Sequence, residues 1–295
     1  MYAITGATGN TGKRIALALL EAGKQVRVIS RDAEKAKELT DKGAELVLGD
    51  TTNEAVLTKA FEGVEAVYAM IPPNYQSDAF THYQENAAKA IDNAIKVNGV
   101  KYAVTLSSQG AHLSEGSGVV LGLHKMEEIL NKIEGLNVLH LRPTYFMENS
   151  LGMAGMLKES GIMGAPVKAD LVFPVIATQD IADYATKRLL TLDFSGKSVQ
   201  DLLGPRDVTY KEMTQVYGAA VGKPETPYVE FSYEDFKQAM MQGMGLSDNV
   251  ADMFIEFIQS MNDGRAMVAR RTEESTTPTT IEEFAQTFRY VYSLN

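Results

Sequence analysis

Three glycines spaced three apart, in Thr5-Gly-Ala-Thr-Gly-Asn-Thr-Gly12, constrain this chain more than any other feature. The apolar run Tyr2-Ala3-Ile4 precedes them and Lys13-Arg-Ile-Ala-Leu-Ala-Leu-Leu20 follows, so a short strand is expected to turn here into an amphipathic helix. Each glycine would meet a different need. Gly6 at the strand exit avoids a Cβ clash, Gly9 lets a diphosphate approach the backbone, and Gly12 lets the first helix lie near the sheet. The helix N-terminus adds unpaired amides and partial positive charge, with Thr8, Asn10 and Thr11 as polar neighbours in the cradle. The spacing Gly-x-x-Gly-x-x-Gly does not by itself separate a dinucleotide from other phosphate ligands.

The alternation of strand and helix continues. Strand candidates are Tyr2 to Thr5, Gln25 to Ser30, Ala44 to Leu48, Ala66 to Met70, Tyr102 to Ser107 and Val138 to Leu141, with helical patterns in most of the intervals. This order predicts an α/β fold, a Rossmann-type parallel sheet flanked by helices. After Arg142 the rhythm breaks. A Met- and Gly-rich segment runs to Pro166, Asp180 to Leu192 reads as a helix returning to the nucleotide domain, and further helices are expected over Thr209 to Ala220, Ser232 to Met241, Ser247 to Met261 and beyond Thr280. The expected division is a nucleotide-binding domain over approximately 1–150 plus 178–200, and a smaller, mainly helical cap over approximately 151–177 plus 201–295.

The 295 residues, 45% of them hydrophobic, can fill such a core. A formal charge of -10 gives no general attraction to nucleic acid. With no cysteine and only four scattered histidines, disulfides, thiolate chemistry and a metal centre are not expected. No apolar run approaches the roughly 20 residues of a membrane-spanning helix, and the start lacks a signal-peptide pattern. A cytoplasmic protein without stable membrane insertion is the expectation.

Cofactor choice is read from the end of the second strand. An acidic residue there would suit a ribose diol, but the chain has Ser30-Arg31. Arg31 could neutralise a 2′-phosphate, with Lys35 and the Ser30 hydroxyl as helpers, although Asp32 puts negative charge next door. NADPH is favoured over NADH, with NADH use left open. Asp50 would either face the adenine or simply initiate the next helix before Thr51 and Thr52.

Taken with Gly49-Asp50, Leu141-Arg-Pro-Thr-Tyr-Phe-Met-Glu-Asn149 and Thr178-Gln-Asp-Ile-Ala182, the opening motif closely resembles the NmrA-like group of atypical short-chain dehydrogenases, including bacterial quinone- or dye-reducing relatives. The resemblance covers nearly the whole chain. It implies a Rossmann domain, a small C-terminal substrate-side domain and a cleft between them. Related folds include both oxidoreductases and proteins that bind the cofactor to sense redox state or control a partner.

Ordinary members of the larger superfamily place a tyrosine four residues before a lysine, with a glutamate commonly four residues after it. Matching Glu128 to that glutamate puts His124 at the lysine position and Val120 at the tyrosine position. Valine cannot transfer a proton. His124 could hydrogen-bond the nicotinamide ribose or donate to a substrate oxygen, with Glu128 one turn away orienting it. Lys125 and Glu127 read as solvated. Ser107, Ser108 and Gln109, ending the fifth strand, could touch nicotinamide or a substrate carbonyl, or merely satisfy backbone atoms.

A channel is expected beside the cofactor. Met70-Ile71-Pro72-Pro73 would form a rigid apolar edge, with Met70, Ile71 and Pro72 against the cofactor and Pro73 and Tyr75 towards substrate. Tyr145 and Phe146 would stand on the opposite wall, and Met240, Met241, Met244, Met253 and Met261 could line an adaptable apolar pocket or be ordinary cap packing. Of the remaining histidines, His82, next to Tyr83, reads as a packed or dimer-facing surface, His112 as a loop residue, and His140 as a buried hydrogen-bonding group. These features favour NADPH-dependent reduction of a small planar electrophile such as a quinone. The alternative is a noncatalytic NAD(P)-binding regulatory protein, acting on an unknown partner protein. A homodimer fits either reading.

Overall fold

The computed structural model describes residues 1–294. In chain order the elements are β1 (Tyr2–Ile4), α1 (Asn10–Glu21), β2 (Val26–Ser30), α2 (Ala33–Asp41), β3 (Glu45–Leu48), α3 (Glu54–Ala60), β4 (Ala66–Ala69), α4 (Phe80–Asn98), β5 (Tyr102–Leu106), α5 (Leu121–Asn131) and β6 (Asn137–Pro143). There follow β7 (Tyr145–Phe146), α6 (Met153–Ser160), β8 (Met163–Ala165), β9 (Val172–Ile176), α7 (Thr178–Thr191), β10 (Lys197–Leu202), β11 (Asp207–Thr209), α8 (Tyr210–Ala220), β12 (Tyr228–Glu230), α9 (Tyr233–Met244), α10 (Asp248–Asn262) and α11 (Ile281–Leu294).

Seven parallel strands form the main sheet in the order β10-β6-β5-β4-β1-β2-β3. The chain moves outward from β1 through β2 to β3, then returns to place β4 on the other side of β1. That reversal opens a crevice at the carboxyl ends of β1 and β4, the position at which open α/β sheets bind ligands. Thr5 stitches the two strand ends together: its hydroxyl accepts from the Met70 amide at 2.7 Å and lies 2.8 Å from the Met70 carbonyl.

Both faces of the sheet are covered, as parallel sheets require. One face packs on α3, α4 and α5 through residues such as Leu57, Phe61, Ile91, Ile95 and Leu130. The other packs on α1 and α7 through Ile15, Leu19, Ile181 and Leu189. The helix over Asp180 to Leu192 thus returns to the nucleotide domain as expected. The strand after it, β10, was not legible: Lys-Ser-Val-Gln-Asp-Leu carries no apolar run because an edge strand buries little.

The cap is mainly helical and also contains two small sheets, β11-β9-β7 and β12-β8. Its core gathers Phe173, Tyr210, Tyr217, Phe284 and Phe288, with the Tyr217 and Phe288 rings stacked at 4.7 Å. A separate cluster joins α9 and α10 to the start of α4 through Met240, Leu246, Val250 and Phe80. The five methionines therefore do not line one surface. Met240 and Met261 are buried in different clusters, Met241 and Met253 are half-buried, and Met244 is exposed.

Glu148 fixes the start of α7, and Asp180 ties α7 to the C-terminal cap. Helix α7 lacks a capping side chain of its own, and Glu148 supplies one, accepting from the Thr178 amide at 2.9 Å and its hydroxyl at 2.6 Å. Buried Asp180 accepts from the Thr279 amide at 2.9 Å and hydroxyl at 2.6 Å, tying down the segment before α11.

Candidate functional site

The three glycines of the cradle differ in what holds them. Gly6 has φ +60°, and a Cβ on it would lie 2.1 Å from Met70 Sδ; one on Gly12 would lie 2.3 Å from the Gly6 carbonyl oxygen. The fold itself requires glycine at both. Gly9 is exposed, has φ −90° and ψ 178°, and a Cβ there would meet only the Gly6 oxygen at 3.4 Å. Nothing internal demands glycine at this position, so its bareness leaves backbone open to a group from outside. Gly9 caps α1 with no side-chain hydrogen bond, and a helix N-terminus presents its first amides to such a group. The cradle fits a diphosphate.

Of the polar residues around it, Asn10 is exposed and Thr8 half-buried, while Thr11 is buried and accepts the Tyr68 hydroxyl at 3.0 Å. Thr11 is thus engaged with the floor of the crevice. Burial pushes the Tyr68 phenol well above its ordinary pKa, so it remains a neutral donor.

At the end of β2, Arg31 is exposed and its guanidinium lies 3.6 Å from Asp50 Oδ2. The Ser30 hydroxyl is spent locally, donating to the Asp32 carbonyl at 2.8 Å. Asp32 caps α2 by accepting from the Glu34 and Lys35 amides, which turns its charge towards the helix. Lys35 is exposed in the first turn of α2. Asp50 does not cap α3, a role taken by Asn53; its Oδ1 accepts from the Thr52 amide and hydroxyl, both at 2.8 Å.

Tyr83 belongs to this corner, which its sequence context did not reveal. Its hydroxyl donates to the Pro72 carbonyl at 2.8 Å, and burial with the nearby Asp50 charge raises its pKa. The contact fixes the Ile71-Pro72-Pro73 turn after β4. Beyond it, the Tyr75 carbonyl accepts from the Ser247 amide at 2.9 Å and the Tyr75 ring meets Phe254 of α10 at 5.9 Å between centroids. The cap thereby reaches the proline turn and gives it an aromatic partner that the sequence reading had not singled out.

At the end of β5 the expected polar entrance is rearranged. The Ser107 hydroxyl donates to Glu127 Oε1 at 2.5 Å, and Arg142 forms a two-pronged pair with the same carboxylate, Nε to Oε1 at 2.9 Å and Nη2 to Oε2 at 2.5 Å. Glu127 is therefore not solvated as expected. Its side chain is 5% exposed, because one turn of α5 faces β6 and brings it opposite Arg142. Lys125 pairs with Glu85 of α4 instead of standing free. Gln109 is 2% exposed and points inward, its amide donating to Asp201 at 2.5 Å and to the Arg142 carbonyl at 3.1 Å. Only half-buried Ser108 remains at the surface of this trio, its hydroxyl donating to the Gln109 carbonyl.

His124 lies on α5 with its Nδ1 donating to the Ala111 carbonyl at 2.8 Å; a carbonyl can only accept, so Nδ1 carries a proton and Nε2 is the nitrogen left for other partners. Glu128 Oε2 is 3.8 Å from Nε2. Val120 is buried beside Gly110, and the backbone of α10 passes so close to Gly118 that a Cβ there would lie 1.9 Å from the Met253 carbonyl oxygen. Val120, matched above to the tyrosine of the wider superfamily, thus sits on a short helical turn packed against the cap. His112 donates to the Arg265 carbonyl at 3.1 Å, which anchors its loop to the cap.

His140 is buried between Thr105 (2.8 Å to Nδ1) and Asn131 (3.1 Å to Nε2), and desolvation lowers its pKa to about 4. Tyr145 and Phe146 are half-buried. The Tyr145 ring packs edge-on against Phe173 and Tyr210 of the cap core, and Phe146 packs against the sheet. Among the described residues no cluster of metal-ligating side chains occurs, and no helix is long and apolar enough to cross a membrane.

A glycine cradle at the switch point of a seven-stranded parallel sheet, with a small cap packed on the proline turn after β4, defines the class of Rossmann-type dinucleotide-binding folds. Within it, the chain belongs to the NmrA-like family, whose model matches residues 2–285. It is 30% identical over 257 residues to an NAD(P)H azoreductase of Xenophilus azovorans, covering 87% of this chain and 85% of that protein. It is also 30% identical to quinone oxidoreductase 2 of Escherichia coli, covering 87% and 86%. The crystal structure of an NADPH-dependent quinone oxidoreductase from Escherichia coli, complexed with NADPH, superposes with a TM-score of 0.80 at 25% identity over 97% of this chain and 99% of that one. A Citrobacter triphenylmethane reductase shares the fold, with a TM-score of 0.81 at 21% identity over 98% and 100%.

Proposed function

We propose that this chain is an NADPH-dependent reductase of small planar electrophiles, quinones among them. The observation that carries the reading is the bare Gly9 cradle at the switch point, with the Arg31 guanidinium exposed at the end of the neighbouring strand. The azoreductase and quinone oxidoreductase relatives support it. Gly9 and the α1 N-terminus would hold the diphosphate, and Arg31 the 2′-phosphate.

Bound NADPH supplies a hydride from nicotinamide C4. The chain's own contribution is mostly positioning and exclusion of water. The proline turn braced by Tyr83 and the Tyr75–Phe254 pair would wall a flat, apolar acceptor. His124, oriented through Nδ1, has Nε2 to accept from a nicotinamide ribose hydroxyl in the neutral ring, or to deliver a proton to a reduced oxygen from the doubly protonated ring. Water is the other proton source.

The buried Val120 favours one alternative, a noncatalytic NAD(P)-binding protein that senses cofactor redox state or regulates a partner. Stereospecific loss of deuteride from C4-labelled NADPH, measured against a quinone panel, tests the choice. Transfer to an acceptor supports the reductase. Tight cofactor binding without turnover, with partner affinity that differs between NADPH and NADP⁺, would replace it with the regulator.

A further inference from the structure

Two carboxylates lie near Arg31, Asp32 as its neighbour in sequence and Asp50 from the end of the adjacent strand, and the structure treats them differently. Asp32 is directed into the first turn of α2, where it caps two amides. Asp50 is directed at Arg31. Its Oδ1 is clamped by the Thr52 amide and hydroxyl at 2.8 Å each, which leaves Oδ2 facing the guanidinium at 3.6 Å. The clamp stands on a fixed base: Ser30 pairs with Leu48 in the sheet, and the Gly49 amide donates to the Ser30 carbonyl at 2.9 Å. Gly49 itself has Val56 pressed against it, where a Cβ would come within 2.6 Å of a methyl group. The carboxylate is held in place and does not swing freely.

We infer that Asp50 sets cofactor selectivity by competing with the 2′-phosphate for Arg31, which restrains NADPH preference and keeps NADH usable. The inference rests on the NADPH assignment proposed above. A 2′-phosphate brought to Arg31 must share the guanidinium with Asp50 and tolerate a like charge beside it. An unphosphorylated ribose meets neither cost. Arg31 is 61% and Asp50 34% exposed, so solvent screens the competition and its size is modest.

The test is calorimetric titration of NADPH, NADH, 2′,5′-ADP and 5′-AMP into the intact chain and its Asp50→Asn, Arg31→Ala and doubly substituted forms. Asparagine keeps an oxygen for Thr52 and removes only the charge. Asp50→Asn should tighten NADPH and 2′,5′-ADP by roughly 2- to 5-fold and leave NADH and 5′-AMP unchanged within about 1.5-fold. The gain should disappear in the Arg31→Ala background. If Asp50→Asn leaves the phosphorylated ligands unchanged, weakens them, or tightens all four equally, while Arg31→Ala still selectively weakens the phosphorylated pair, the competition is wrong and the NADPH assignment stands. If Arg31→Ala weakens all four equally, the assignment falls, and this inference with it.

Discussion

Replacing Gly9 by alanine should abolish most cofactor affinity while leaving the protein folded, and Gly12→Ala should do the reverse in emphasis. At Gly9 a methyl group would meet only the Gly6 oxygen, at 3.4 Å, and φ −90° with ψ 178° is open to any residue. Alanine is a poorer N-cap than glycine by roughly 0.5 to 1 kcal/mol, and it recovers about 0.4 to 1 kcal/mol by restricting the unfolded chain. The net change in melting temperature should then stay within about 4 °C. A methyl group where phosphate oxygens approach the backbone should cost one or two charge-assisted hydrogen bonds at about 1.5–3 kcal/mol each, and hence roughly 10- to 100-fold in affinity or more for both NADPH and NADH. At Gly12 the methyl group would stand 2.3 Å from a backbone oxygen that cannot yield without moving the turn, so stability should fall by about 1–3 kcal/mol. Thermal denaturation and cofactor titration on the same samples separate the two. A folded Gly9→Ala protein that binds both cofactors normally would refute the placement of the diphosphate.

Three further outcomes are expected. Glu127→Gln should destabilise by about 3–5 kcal/mol in chemical denaturation, because it strands the Arg142 guanidinium, and adding Arg142→Met should recover much of the loss; a single variant as stable as the parent would contradict the buried pair. His124→Gln should retain cofactor affinity yet lose turnover and its pH dependence if Nε2 delivers the proton. Normal turnover with an unchanged profile rejects that role, and equal losses of affinity and turnover point to ribose holding. His140 has a depressed folded pKa of about 4, so the unfolded chain binds the proton more readily. Its contribution is complete above the unfolded pKa of about 6.5 and is lost as pH falls towards 4, which amounts to about 2 kcal/mol between about pH 7 and pH 5. A His140→Asn protein should lack that component of the slope, and denaturation curves at the two pH values that fall in parallel with the parent would dismiss it.

What the residues alone determined is local. The period of apolar residues set six of the seven sheet strands and the helices between them, because a buried parallel strand is an apolar run and a covering helix is an apolar stripe. Thr5 to Gly12 marked the cradle for the same reason: φ and Cβ space are properties of neighbouring backbone. The seventh strand escaped because an edge strand of Ser, Val, Gln and Asp carries no such pattern. Only tertiary structure decided the pairing of charges, since partners far apart in the chain carry no period. Glu127 looked solvated until Arg142 from β6 lay against it, Gln109 looked like an entrance until Asp201 took its amide, and Tyr83 joined the cofactor corner only when α4 crossed the Pro72 carbonyl. Asp50 likewise had two open roles in the sequence, and it was the register of β2 on β3 that aimed its carboxylate at Arg31.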